Sequence, residues 1–297
     1  MINNLHVEAS TYCNARCPGC PRNANGVNLP GLFPLEHLKV DVFKNVVAKF
    51  PDLEYINFNG NLGDPMMNPD IVDLVKASGV HCNITTNGSI GKLDVFKELA
   101  QLGHEVTFSI DGLEDTNHLY RQDVVWKKIM ERIKIFIEHG GVANWKYVIF
   151  RHNKHQIQQA EELSKQLGFK SFETIDHGRN YFPALTQDRK VSHWIMPADG
   201  NQQPDDKFDP EEYVKMVLKP YDLKPPRYNK KVSCEYLRGS VYVSASGGIH
   251  PCCYQGFDLP DRKAVTLDQF DSLRKTWETD DTNVICAENC ATNQTYP

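Results

Sequence analysis

The sequence predicts an α/β protein: an open, partial (β/α)6 TIM-like barrel, then a small C-terminal domain of one β-hairpin and one helix. Three observations predict it. Short strand-forming runs alternate with amphipathic helical segments over about 175 residues, and such alternation means parallel strands joined by right-handed crossovers. Six strands and five helices fall short of the eight units that close a barrel. Beyond residue 178 the alternation stops, and cysteine-bearing stretches frame a hairpin and a final helix.

The elements follow in order. Leu5 to Ala9 alternates apolar and polar residues as a strand does, and runs directly into Tyr12-Cys13-Asn14-Ala15-Arg16-Cys17-Pro18-Gly19-Cys20. Residues 21–34, rich in Gly, Asn and Pro, read as loop. Asp41 is expected to cap a helix through Phe50, with Val42, Phe43, Val46, Val47 and Phe50 on one face. Leu53 to Phe58 is a strand, followed by the loop Asn59-Gly60-Asn61-Leu62-Gly63-Asp64-Pro65. Pro69 is placed as the first residue of a helix that ends at Gly79. Val80 to Thr86 is a strand broken by Asn87-Gly88, Leu93 to Leu102 a helix, and Glu105 to Ile110 a strand closed by Asp111-Gly112. A long helix covers Val125 to Glu138, with Val125, Ile129, Ile133, Phe136 and Ile137 inward. Lys146 to Phe150, Gln156 to Leu167 and Ser171 to Ile175 complete the series as strand, helix and strand.

Residues 179–232 break the pattern and read as a bridge or substrate-covering segment, helical only over Glu211 to Leu218. The bridge aromatics Tyr181, Phe182, Trp194 and Tyr213 suit either a pocket lining or simple packing. Ser240 to Ser244 with Gly247 to His250 reads as a hairpin, and Leu267 to Trp277 as a helix. The domains are therefore expected at 1–178, 179–232 and 233–297.

Composition excludes several classes. A hydrophobic content of 40% and a charged content of 24% are ordinary for a soluble globular enzyme. No apolar run reaches the length that spans a bilayer, and the first residues have neither the basic nor the apolar region of an export signal. A net charge of −5 argues against a broad nucleic-acid-binding face. Nine cysteines, an odd number, suit a reducing compartment in which thiols bind metal; a cytoplasmic location is expected.

Chemistry concentrates at the carboxyl ends of the strands, where ligands of such folds gather. Cys13, Cys17 and Cys20 can fill three corners of a cubane iron–sulfur cluster and leave one iron open. A zinc site that borrows a distant fourth ligand, or three plain thiols, are the other readings of the loop alone. Cys82, inside a strand, reads as a small buried apolar residue.

With those residues in view, residues 3–178 resemble the radical S-adenosylmethionine (radical SAM) enzymes. Leu62-Gly63-Asp64-Pro65 is similar to the family's Gly-Gly-Glu-Pro motif, which holds the methionine amino group of SAM. Thr86-Asn87-Gly88 matches a third-strand ending common in the family. Ser109-Ile110-Asp111-Gly112, with His118 and Arg121, is similar to the region that contacts the SAM ribose and carboxylate, and Asn153 occupies a position that often touches the cofactor. Two departures stand out: Gly19 replaces a frequent aromatic, and Asp64 is one methylene shorter than the usual Glu. The resemblance implies a [4Fe–4S] cluster, bound SAM and a flavodoxin- or ferredoxin-type electron donor.

Cys234, Cys252, Cys253, Cys286 and Cys290 resemble the twitch domain, the shorter relative of the SPASM domain, which binds one auxiliary [4Fe–4S] cluster. The resemblance implies Cys234, Cys252, Cys286 and Cys290 as ligands, with Cys253 the extra thiol; a four-cysteine zinc site is the alternative. Full SPASM domains need seven cysteines. The leading function is radical abstraction of hydrogen from a small polyol or sugar-like substrate, with the auxiliary cluster accepting an electron. Maturation of a ribosomally made peptide is the second reading, weakened by a chain that begins almost at the first strand. A non-catalytic zinc scaffold is the third.

Overall fold

The computed structural model describes residues 2–176, 181–199, 203–204, 207–218 and 239–253. Cys234, Cys286, Cys290 and the expected helix Leu267 to Trp277 lie outside the described residues. Among the described residues the central sheet has eight strands. Its parallel part runs through β1 (Asn4–Val7), β4 (Tyr55–Asn59), β5 (His81–Thr86), β6 (Glu105–Ser109), β7 (Val142–Ile149) and β8 (Ser171–Asp176). On the other side of β1, β11 (Ser240–Val243) pairs in parallel, His6 opposite Tyr242, and the antiparallel β12 (Ile249–His250) ends the sheet. The hairpin read as part of a separate C-terminal unit thus continues the barrel sheet.

Alternation along the strands separates two faces. Leu5, Val7, Ile56, Phe58, Ile84, Val106, Phe108, Trp145 and Tyr147 turn to the helices and are fully buried in one apolar core. Helices α1 (Val40–Val47), α2 (Ile71–Ser78), α3 (Leu93–Gln101) and α5 (Trp126–Glu138) bring Phe43, Leu74, Phe96 and Phe136 to it. The other face is polar. There Asn83 donates to Asn57 at 3.1 Å and accepts from Thr107 at 2.8 Å. In register beyond them, Ser109 lies opposite Lys146, and Lys146 opposite Glu173.

Element limits differ from the sequence reading for local reasons. Lys39, not Asp41, is the N-cap of α1, and Asp41 lies in the first turn, where its charge still favours the helix dipole. Pro69 precedes α2 by two residues, while Gly79 closes that helix in the left-handed conformation as expected. Val125 is the N-cap of α5 and is exposed rather than inward. Helix α6 (Ile157–Leu167) follows a short 3-10 turn at Lys154–Gln156.

Two hairpins and a short helix were not read from the sequence. β2 (Asn23–Ala24) and β3 (Val27–Asn28) flank Asn25-Gly26, both at positive φ, the dipeptide that type I′ turns favour. β9 (Phe182–Leu185) and β10 (Val191–Ile195) form the second hairpin, and α4 (Asn117–Tyr120) is a single turn. The bridge packs on the cysteine loop. Leu185 donates its N–H to Asn25 at 2.7 Å, and Ala24, Val27, Leu185 and Val214 of α7 (Pro210–Leu218) form a small core of their own. Its aromatics pack in a row, Tyr181 on Trp194, Trp194 on Phe208 and Phe208 on Tyr213.

Candidate active site at the carboxyl edge of the sheet

Cys13, Cys17 and Cys20 lie on the loop leaving β1, and loop 60–64 leaves the adjacent β4. Gly63 is the point of closest approach between them. A Cβ on it would overlap the Ser10 carbonyl oxygen and sit 2.6 Å from that of Tyr12, so only glycine fits. The Asp64 N–H donates to the Tyr12 carbonyl at 2.8 Å, and Arg22 Nε donates to the Leu62 carbonyl at 2.7 Å. Gly19 has φ 76°, a left-handed conformation that explains why no aromatic stands there.

The Asp64 carboxylate is buried and engaged within the protein. It accepts from Thr86 Oγ1 at 2.8 Å, the Asn87 N–H at 2.8 Å, Asn87 Nδ2 at 2.7 Å and the Met66 N–H at 3.0 Å. Burial pushes its pKa up and these donors pull it down. These bonds tie the Thr86-Asn87-Gly88 strand end to loop 60–64. Asn87 Nδ2 also reaches Asn14 Oδ1 at 2.9 Å and lies 3.9 Å from the Cys13 sulfur.

Asp111, fully buried, accepts from Arg121 Nε at 2.6 Å and from the Val148 N–H at 2.7 Å. Burial pushes its carboxyl pKa up and Arg121 opposes this. Arg121 Nη1 lies 4.0 Å from the Cys17 sulfur. Ser109 is buried where β6 ends. Asn153 is tied to this group through backbone. Its Nδ2 donates to the carbonyls of Asp111 and Val148, both at 2.9 Å, and its Oδ1 accepts from the Phe150 N–H at 2.7 Å. With no exposed surface, Asn153 braces the loops from beneath.

The thiols suit a metal cluster by their chemistry. Burial pushes Cys13 up to about 12 and Cys17 up to about 11, and raises Cys20 as well. Bare thiolates are therefore disfavoured, and a bound cationic centre would supply the missing charge. The Ala15 N–H, 3.4 Å from the Cys13 sulfur, and the nearby Asn87 amide and Arg121 guanidinium are the kind of donors that tune cluster sulfurs. Among the described residues no group of three His, Cys, Asp or Glu side chains is arranged to hold a single metal ion. Cys252 is buried and Cys253 half-buried after β12.

Sequence reasoning missed Glu8, Arg22 and Tyr242. For Glu8 and Tyr242 the signal was present, a polar group at an inward position of a strand run, because such a group must find partners once buried.

An α/β sheet with three thiols on its first loop, facing two strand-end loops and a buried Asp–Arg pair, suits a class of iron–sulfur enzymes. The chain belongs to that class: residues 7–166, more than half of it, match the model of the Radical SAM superfamily. Membership implies a [4Fe–4S] cluster and SAM. A curated relative, the tungsten-containing aldehyde ferredoxin oxidoreductase cofactor-modifying protein of Pyrococcus furiosus, is 34% identical over 179 residues. That match covers 55% of this chain and 48% of the relative, so the chain spans about half the length of the curated relative it matches. In fold it is similar to Streptococcus suis SuiB bound to S-adenosylmethionine, with a TM-score of 0.61 at 16% identity over 97% of this chain and 68% of that one. It is also similar to anSMEcpe with bound AdoMet and the Kp18Cys peptide, with a TM-score of 0.59 at 14% identity over 93% and 83% of the two chains. Among the described residues no helix is long and apolar enough to cross a membrane.

Proposed function

We propose that the chain reductively cleaves SAM and removes a hydrogen atom from a carbon of a small, polar, polyol- or sugar-like substrate. One observation carries the reading: three thiols, loop 60–64 and the Asp111–Arg121 pair share one edge of the sheet, above a polar inner face. Cys13, Cys17 and Cys20 would hold the cluster, which when bound and reduced supplies the electron that opens the sulfonium. Loop 60–64 would seat the methionine amino group through its backbone carbonyls. Arg121, kept cationic by Asp111, faces the cysteine loop, where a carboxylate can be received. Asn57, Asn83, Thr107 and Ser109 offer the alternating donors and acceptors that hydroxyl-rich substrates need. An auxiliary cluster on Cys234, Cys252, Cys286 and Cys290 would accept the electron left on the substrate radical once the hydrogen atom is gone, and a flavodoxin- or ferredoxin-type protein would deliver the separate electron that reduces the cluster on Cys13, Cys17 and Cys20.

A second reading, modification of a peptide, is favoured by a different observation. Among the described residues β8 is the outer strand of the sheet, and its Glu173 and Thr174 are exposed, an edge to which an extended chain can add. Neighbours of the same fold were solved with peptides bound, SuiB with the precursor peptide SuiA among them.

Deuterated polyols and deuterated peptides offered to the reduced enzyme with SAM separate the two. Deuterium in the 5′-deoxyadenosine from the polyol supports the first reading, and deuterium from the peptide alone replaces it with the second.

A further inference from the structure

Loop 60–64 is gripped by the residue that follows β1. Glu8, 1% exposed, accepts three consecutive backbone N–H groups: Asn61 at 2.6 Å and Leu62 at 3.1 Å on Oε2, and Gly63 at 3.0 Å on Oε1. A fourth donor comes from β11, where the Tyr242 hydroxyl reaches Oε2 at 2.8 Å. The same hairpin touches the loop again through Asn61 Nδ2, which donates to the Cys253 carbonyl at 3.0 Å. A Cβ on Gly60 would stand 2.7 Å from Glu8 Oε1, so the carboxylate sits directly against the loop backbone.

Peptide planarity gives this grip a consequence. A trans peptide that points its N–H at Glu8 must point the preceding carbonyl away from it. The carbonyls of Gly60, Asn61 and Leu62 therefore face the opposite side, and that of Leu62 indeed accepts from Arg22 of the cysteine loop at 2.7 Å. Glu8 sets which edge of the loop is left for an ammonium group.

We infer that Glu8 and Tyr242 are positioning residues for the methionine end of SAM, and that they make loop 60–64 answer to the seating of the C-terminal hairpin. The inference rests on reading that loop as the SAM amine seat. Burial pushes Glu8 up to about 7, against the pull of its four donors. Around it stand Tyr242 of β11, His6 of β1 edge-on to that tyrosine, and His250 of β12 beside it. Glu36 faces it across a water-sized cavity of about 10 Å³ that Thr11, Leu62 and Ser244 also line. Only ionised Glu8 can accept from all four donors; protonation turns one acceptor into a donor and loosens the loop. SAM affinity should therefore rise as pH passes upward through about 7.

The test measures SAM dissociation constants by equilibrium dialysis on the full, anaerobically reconstituted chain from about pH 6 to about pH 8.5, a window chosen to bracket the Glu8 titration, with iron content as control. Glu8→Gln should weaken binding about tenfold at the upper end and flatten the pH dependence, and Tyr242→Phe should weaken it about threefold, both with iron unchanged. Tyr242→Phe keeps the ring and carries the test if Glu8→Gln does not fold. Wild-type affinity in both variants, with wild type binding SAM normally, overturns the inference alone. A wild-type protein that does not bind SAM overturns the reading of the site, and the inference with it.

Discussion

Arg121 donates to the Asp111 carboxylate at 2.6 Å, and this pair joins the end of β6 to the cysteine loop, because the same guanidinium lies 4.0 Å from the Cys17 sulfur. Asp111 has no exposed surface, so its charge is compensated from within the protein. Arg121→Met would strand that carboxylate. Removing one partner of a buried pair costs about 3–5 kcal/mol, and urea denaturation should show a loss of that order. A loss below about 1 kcal/mol would mean that water reaches Asp111 freely.

Cys17→Ala should abolish formation of 5′-deoxyadenosine from SAM and reductant, and should lower bound iron. The measurements are product chromatography and iron content on anaerobically prepared protein. Turnover at the wild-type rate would place the cluster on other residues.

Gly63→Ala and Gly79→Ala form a contrasting pair. Gly79 has φ 68° with open space about it, so alanine there meets only the left-handed backbone penalty of about 1–2 kcal/mol. At Gly63 the new Cβ collides with the backbone of Ser10 and Tyr12. Thermal unfolding should therefore record a clearly larger loss for Gly63→Ala, together with weakened SAM binding. Equal losses would show that the two loops can move apart without strain.

Stability should also depend on pH. Burial first, then His193, His118 and His155, lower His152 from 6.5 to about 4. The unfolded chain binds the extra proton between those values, so His152 contributes stability that is present above about 6.5 and lost as pH falls toward about 4. Glu8 has the opposite sign, since its raised pKa makes stability fall as pH rises from about 4.5 to about 7. His152→Phe, which keeps the stack on Phe150, should flatten the acid side of the stability profile and leave the Glu8 slope in place. An unchanged acid slope would show that His152 is already hydrated in the native state.

Strand and helix order was legible because each core-facing residue, from Leu5 to Tyr147, repeats at the period of its element. The cysteine loop, Gly63-Asp64 and Asp111 with Arg121 were legible because motif chemistry is local in sequence. What escaped depends on contacts far apart along the chain. Nothing near Glu8 announces that Tyr242 will donate to it, and nothing near Asp64 announces that Thr86 and Asn87 will occupy its carboxylate. The Asn25-Gly26 hairpin is different: its turn dipeptide was visible, but its strands are two residues long and offer no alternation to read.

Because Asn4 pairs with Ser240, β1 is completed by a strand that emerges 236 positions later. At about 5–20 residues per second, that delay is roughly 12–47 seconds. Through it, β1 keeps a bare edge beside the cysteine loop, and Glu8 waits for the tyrosine that satisfies it. Contacts of such sequence separation also slow folding itself. Among the described strands only β12 joins the sheet after this closure of β1, and a chain cut short before Gly239 would remain at the unfinished stage.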